Sequence, residues 1–308
     1  MDFSKKSKIL LWGDFLKKIT INDKLYPKKL KEIFNPPSVF YTEGNIELLN
    51  SCSIAIIGSR QASDSGKKLA KKFSLELSNC GITIVSGLAR GIDTIAHTYS
   101  YNQKGKTIAV LGCGFNKIFP PENSTLLKKI VENNGLIISE YPPDTEADSL
   151  KFPERNRIIS GLSIGIIVIE AKSRSGTSIT AKLAKEQHKP VFVLPHEIDS
   201  PHGIGTNRLL KKGAIPITDT TDVLNNLKLT EFKEIYKKNK KSNILNKKNY
   251  NFSDIKQTSI FNLISEKPIS ANDLSRKSGY SVSEVLSTLF ILEMNGYIKK
   301  VQGGYICM

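Results

Sequence analysis

No CxxC pair occurs in this sequence. Its four cysteines, Cys52, Cys80, Cys113 and Cys307, stand singly in or beside apolar runs. That spacing argues against a disulfide framework and a thiolate metal site, and predicts reduced core thiols in a cytoplasmic protein. No apolar run approaches the roughly 20 residues of a membrane span. The apolar patch at 9–12 is too short for the core of a signal peptide. Acidic residues are in deficit, 29 against 45 Lys and Arg, which leaves a net charge of +16. An excess of that size predicts an anionic partner. It is unevenly placed: +3 over residues 1–50, +6 over 51–227, +6 over the short tract 228–250 and only +1 over 251–308.

What is present has a rhythm. Short, continuous, β-branched runs at 53–57, 82–85, 107–111, 136–138, 164–169, 191–194 and 215–217 alternate with segments of helical length. In the segment 66–79, Leu69, Phe73 and Leu77 recur every four residues, and Cys80-Gly81 follows as a glycine stop. Runs of this kind are parallel strands buried on both faces. The fold class predicted is α/β: an extended Rossmann-like, doubly wound, mainly parallel sheet over 51–227. Nearly every run stops at Gly, Ser, Arg or Glu, so those residues line the C-terminal edge of the sheet, where open α/β folds bind ligands.

The densest chemistry lies between residues 149 and 180. A basic-aromatic loop (Lys151, Phe152, Arg155, Asn156, Arg157) leads into the 164–169 run, and Ser175-Gly176-Thr177 then opens a helix. A Gly/Ser turn at a helix N-terminus offers free N–H groups to an anion, although a plain strand-to-helix connection has the same composition. At the end of the first run, Gly58-Ser59-Arg60 places a guanidinium that either grips a phosphate or pairs with a carboxylate. Phe152 either stacks a base or packs in the core. Asn156 bonds either a base edge or the local backbone. Asp93 and His97, four apart on one helix face, fit a buried hydrogen-bonding role better than an acid/base pair. Glu140 and Glu170, at strand ends, are expected to orient neighbouring arginines.

The flanks are plainer. Residues 1–50 are expected to add short helices without a core of their own. The Lys/Asn-rich tract 228–250 reads as a basic linker, helical at first. Residues 251–308 carry two capping signatures, Ser270-x-x-Asp273 and Ser281-x-x-Glu284, and end in a hairpin around Gln302-Gly303-Gly304. That pattern predicts a winged helix-turn-helix. Its third helix, 281–295, contains no Lys or Arg, which argues for protein contact over base reading. Lys299 and Lys300 on the wing leave weak phosphate contact open.

The blocks I-A-I-I-G-S-R-Q-A-S (54–63), S-G-L-A-R-G-I-D-T-I-A-H (86–97), A-V-L-G-C-G-F-N-K-I-F-P-P-E-N (109–123), S-E-Y-P-P (139–143), F-P-E-R-N-R-I-I-S-G-L-S (152–163), S-G-T-S-I-T-A (175–181) and G-T-N-R-L-L-K-K-G-A (205–214) stand in one order. Together they resemble the DNA-processing protein A (DprA/Smf) family. The resemblance implies a non-enzymatic mediator of recombination, with no cofactor and no metal, that protects incoming single-stranded DNA in natural transformation. Its implied partners are single-stranded DNA, the RecA recombinase and a second copy of the chain, joined through the Rossmann-like domain. It assigns Arg60 to the DNA pocket; by their own chemistry Lys151, Arg155 and Arg157 are expected to neutralise phosphates there, and Gly58, Ser59, Phe152, Asn156, Ser175, Gly176 and Thr177 complete the expected DNA-binding set. His196 stands where the family usually has glycine, and the lead-in is too short for the complete SAM-like domain of some members. The competing reading is a nucleotide-cleaving, phosphoribohydrolase-like enzyme of related fold. Those enzymes carry a Pro-Gly-Gly-x-Gly-Thr loop and a downstream Glu; here the double glycine is missing and Ile179-Thr180 fall where the acid would stand.

Overall fold

The computed structural model describes residues 16–172, 175–248, 252, 254–265 and 267–307. The apolar patch at 9–12 and residues Ser173 and Arg174 lie outside them. The lead-in corrects the expectation of helices alone. Strand β1 (Lys17–Thr20) and strand β2 (Val39–Gly44) flank a single turn, α1 (Lys28–Lys31). Along β2, Phe40 and Thr42 are buried while their neighbours are not, the period-two signature of a strand with one covered face. Phe40 pairs across the ladder with Ile19, and both join the main core beside Leu30 and Leu49.

The seven apolar runs form the rest of the sheet: β3 (Ser53–Ile57), β4 (Thr83–Ser86), β5 (Thr107–Leu111), β6 (Leu136–Ser139), β7 (Ile166–Val168), β8 (Val191–Val193) and β9 (Ile215–Pro216). The order is β1-β2-β6-β5-β4-β3-β7-β8-β9. β3 to β9 pair in parallel, and β2 joins the edge antiparallel to β6.

Intervening helices cover both faces. They are α2 (Asp64–Asn79), α3 (Ile92–Thr98), α4 (Ser124–Glu132), α5 (Lys151–Leu162), α6 (Gly176–Glu186), α7 (Ile204–Lys211), α8 (Thr220–Asn226) and α9 (Thr230–Lys248). Ala55, Ile57 and Val168 pack towards α5 and α6, while Ile54, Ile56 and Ile167 pack towards α2, α3 and α8. Burial on both faces is why the runs carry no polar alternation. In α2 the fully buried Phe73 and Leu77 each contribute about 1.5–3 kcal/mol. The Ser63 cap on Gly66 N adds only about 1 kcal/mol, so packing fixes this helix more than its cap does.

Strands β3 to β6 are laid down in one direction, and the chain then returns through α5 to place β7 on the other side of β3. The β3 and β7 connections therefore leave the sheet edge in opposite directions and open a crevice there.

The chain divides into two compact units after Tyr236. The first turns of α9 belong to the first unit: Tyr236 is buried, with Phe232 and Ile235 packed on the same core. In the second unit, α10 (Ile255–Leu263), α11 (Ala271–Ser278), α12 (Val282–Met294) and the hairpin β10 (Ile298–Val301) and β11 (Gly304–Cys307) surround Ile260, Phe261, Leu274, Leu289 and Leu292. This is a winged-helix arrangement. The Ser281–Glu284 capping box forms at the start of α12. Val282, Leu286, Phe290 and Met294, four residues apart on α12, are exposed.

Candidate nucleic-acid interface

A cleft of about 1230 Å³ opens at the β3–β7 switch point. Gly58, Ser59, Arg60, Phe152, Arg155, Asn156, Ser175, Gly176 and Thr177 line it, whereas Lys151 and Arg157 do not. The structure thus brings together nine residues that the sequence scatters over 120 positions.

The β3 end is braced by the loop after β4. Ile92 N donates to Ser59 O over 3.2 Å. Gly91, at φ +75°, lies where a Cβ would meet Ser59 O at 2.2 Å, so both the backbone conformation and the close approach require glycine. Arg60 extends from this braced turn, exposed, with its guanidinium carbon 5.3 Å from the centroid of the Phe152 ring. No carboxylate among the described residues pairs with it.

The segment read as a basic-aromatic loop is the first two turns of α5. Two features concealed the helix: Leu150 at the N-cap gives no side-chain cap, and Pro153 sits inside the first turn, where its missing N–H costs nothing. Being helical, the segment sorts its side chains by face. Phe152, Arg155, Asn156 and Ile159 follow i, i+3, i+4, i+7 spacing and turn to the cleft.

The expectation that Arg155 neutralises phosphate conflicts with its burial. It is 4 % exposed, and Nη1 donates to Gly87 O over 2.6 Å and to Val110 O. Its Nε donates to Asn156 Oδ1 at 3.3 Å. The side chain pins α5 to the ends of β4 and β5 through main-chain carbonyls there. Arg157 is also committed, in a two-bond pair with Glu140 at 2.6 and 2.8 Å. Lys151 Nζ donates to Glu146 O over 2.8 Å, outside the cleft lining. Phe152 is half-buried, and Gly112 leaves the space its ring needs, since a Cβ there would stand 2.6 Å from Cδ1.

Across the crevice, α6 begins at Gly176. A Cβ at Gly176 would meet nothing within 4 Å, so the first turn faces open space. The buried Ser175 Oγ has no hydrogen-bond partner among the described residues.

The acidic and imidazole groups are internally satisfied. Asp93 Oδ2 accepts from Gly87 N at 3.1 Å, and burial pushes its carboxyl up to about 6. Thr107 Oγ1 donates to Ile84 O, so it accepts from His97 Nδ1, leaving Nε2 to accept from Leu88 N at 3.3 Å. Burial pushes the imidazole down to about 3, which keeps it neutral. Of the two strand-end glutamates, Glu140 orients an arginine as expected. Glu170 pairs with no arginine among the described residues: it is 1 % exposed and accepts from Ser63 N and Ser63 Oγ at the start of α2.

Sequence reasoning named none of Arg90, Lys117, Phe119 and Lys172 as ligand-binding, yet all four line the same cleft. Lys172 Nζ donates to Gln61 Oε1 over 2.6 Å, bridging the β7 and β3 ends. Lys117 pairs with Glu146 at 2.6 Å. Arg90 pairs with Glu122 and lies 6.0 Å from the Phe119 ring centroid. That ring is 5.7 Å from Phe152, tilted by 44°. The available signal was indirect: all four stand in the connections that follow β4, β5 and β7, about four to eight residues past the strand ends.

These features define a class: a doubly wound α/β protein whose switch-point crevice presents cations and rings, with a winged-helix unit following it. More particularly, the chain belongs to the DNA recombination-mediator protein A family, whose model matches residues 17–228; the DprA winged helix domain matches 253–304. Protein Smf of Escherichia coli is 35 % identical over 288 residues, 94 % of this chain and 76 % of that protein. Among solved structures, DNA processing protein A from Streptococcus pneumoniae is 40 % identical with a TM-score of 0.65, over 68 % of this chain and 74 % of that one. The DNA processing protein A of Helicobacter pylori, described with a single-stranded DNA binding mode, is 34 % identical with a TM-score of 0.62, over 68 % of this chain and 95 % of that one.

Proposed function

We propose that this chain binds single-stranded DNA in the switch-point cleft, with little sequence preference, and acts without catalysis as a recombination mediator. The observation that carries this reading is Arg60, exposed and free of any described carboxylate, over the half-buried ring of Phe152. A cation beside a ring matches the two things a single-stranded nucleotide offers, a phosphate and an unpaired base face. Lys172 and the open first turn of α6 add positive potential on the opposite wall. The Helicobacter pylori relative supports the same ligand. The absence of catalysis is supported by Asp93, His97, Glu140 and Glu170, each held in internal hydrogen bonds. Further along the same reading, the bound strand is protected and handed to RecA during natural transformation, by a homodimer joined through the α/β unit.

The test is a gel-shift comparison of single- and double-stranded DNA of equal length at two salt concentrations. We expect tighter binding of the single strand and a steep loss with salt, since each neutralised phosphate releases counterions. Equal affinity for duplex, or affinity indifferent to salt, overturns the reading.

A further inference from the structure

Beside Phe152 and Arg60, the cleft contains a second ring and guanidinium in the same relation. Phe119 is 40 % exposed, and the Arg90 guanidinium carbon lies 6.0 Å from its centroid. The two rings are neighbours at 5.7 Å, yet their planes differ by 44°. Different elements supply the pairs: Phe152 from α5 and Arg60 from the β3 end, Phe119 from the β5–α4 connection and Arg90 from the β4–α3 loop. The two rings touch as a tilted aromatic pair, and each brings its own guanidinium from a different loop. Arg90 is held by Glu122, but both side chains are more than half exposed, and an exposed pair of this kind yields readily to a phosphate.

We propose that Phe119 and Arg90 form a second base subsite, so that the cleft takes two consecutive bases of a single strand and holds them splayed. This rests on the reading of the cleft as a single-strand site. Bases within a duplex lie parallel, about 3.4 Å apart. Rings 5.7 Å apart and tilted by 44° cannot both lie flat against bases in such a stack. A flexible single strand can turn one base relative to the next, at the cost of one stacking contact, and regain it on the protein. The tilt between the rings is therefore the element that excludes duplex, and Phe119 is a specificity residue for strandedness.

The experiment uses the full chain and an oligothymidylate of about eight nucleotides, within the span that single-strand sites cover. One abasic position, which removes a base and keeps its phosphate, is walked along the oligonucleotide. In the parent protein two consecutive positions should be costly, each weakening binding roughly ten- to a hundredfold, the range of one base–ring stack. Phe119→Leu should weaken the intact oligonucleotide by the same factor, leave the salt slope unchanged and abolish the cost at one of the two positions. Phe119→Tyr should restore both. The preference for single over double strands should shrink in Phe119→Leu. One costly position in the parent overturns the inference without any variant. So does a Phe119→Leu protein that binds like the parent while Phe152→Leu is weakened, an outcome that leaves the proposed function standing. A parent that binds no oligothymidylate removes both.

Discussion

Three arginines named together from the sequence meet three environments, and the difference decides which of them can reach a ligand. Arg155 is spent on the carbonyls of Gly87 and Val110, and Arg157 on Glu140 and Asn35 O. Arg60 lies over the Phe152 ring and pairs with no carboxylate among the described residues. Arg60→Ala should therefore weaken single-strand binding and reduce the salt slope by about 0.7–1, one phosphate contact. Phe152→Ala should cost about 1–3 kcal/mol with the slope nearly unchanged, because stacking releases few ions. Arg60 rests on the ring it works with, so the double variant should depart from additivity by more than about 0.5 kcal/mol. A double-mutant cycle on a short oligonucleotide measures this. Additive losses in folded variants would show that the two side chains act apart.

The elements that matter most are short connections at strand ends, and they hold one another. The loop after β4 supports the turn after β3 through Ile92 N and the close approach of Gly91 to Ser59 O. Gly91→Ala would put a Cβ into that carbonyl and force a residue at φ +75°. We expect a destabilisation of about 1–3 kcal/mol, read as a lowered Tm. DNA affinity should fall as well, because the turn carrying Arg60 must move. Unchanged affinity together with unchanged Tm would mean that the brace is dispensable. Helix α5 shows the same economy: one face presents Phe152 and Asn156 to the cleft while Arg155, between them in the chain, locks the helix to the strand ends.

For the whole molecule, the positive charge and the cleft coincide in the first unit and the tract after it, and residues 251–308 add only +1. The exposed face of α12 is apolar, with Val282, Leu286, Phe290 and Met294. Among the described residues, no helix is long and apolar enough to cross a membrane. A chain shortened to end at Tyr250 should remain folded and bind single-stranded DNA within about threefold of the parent, less than one phosphate or base contact is worth. A large loss would place part of the site in the winged-helix unit. Ending the chain at Leu227 is a poor substitute, because it also removes Phe232, Ile235 and Tyr236 from the core.

The strands were legible in the residues themselves. A β-branched run buried on both faces needs no partner to be recognised, and the glycine, serine or arginine that ends it marks the ligand edge of the sheet. Gly58 to Arg60 and Ser175 to Thr177 could be named for that reason. The lead-in strands could not, because β1 and β2 join the sheet through the pairing of β2 with β6, nearly a hundred residues away. Nor could the fates of Arg60, Arg155 and Arg157, which share one chemistry. Burial against carbonyls and a glutamate supplied by other elements sets them apart, and local sequence carries no record of it. Phe119 and Phe152 stand 33 positions apart in the chain and 5.7 Å apart in space. Their tilt arises where the β5–α4 connection meets α5, and tertiary packing alone decides it.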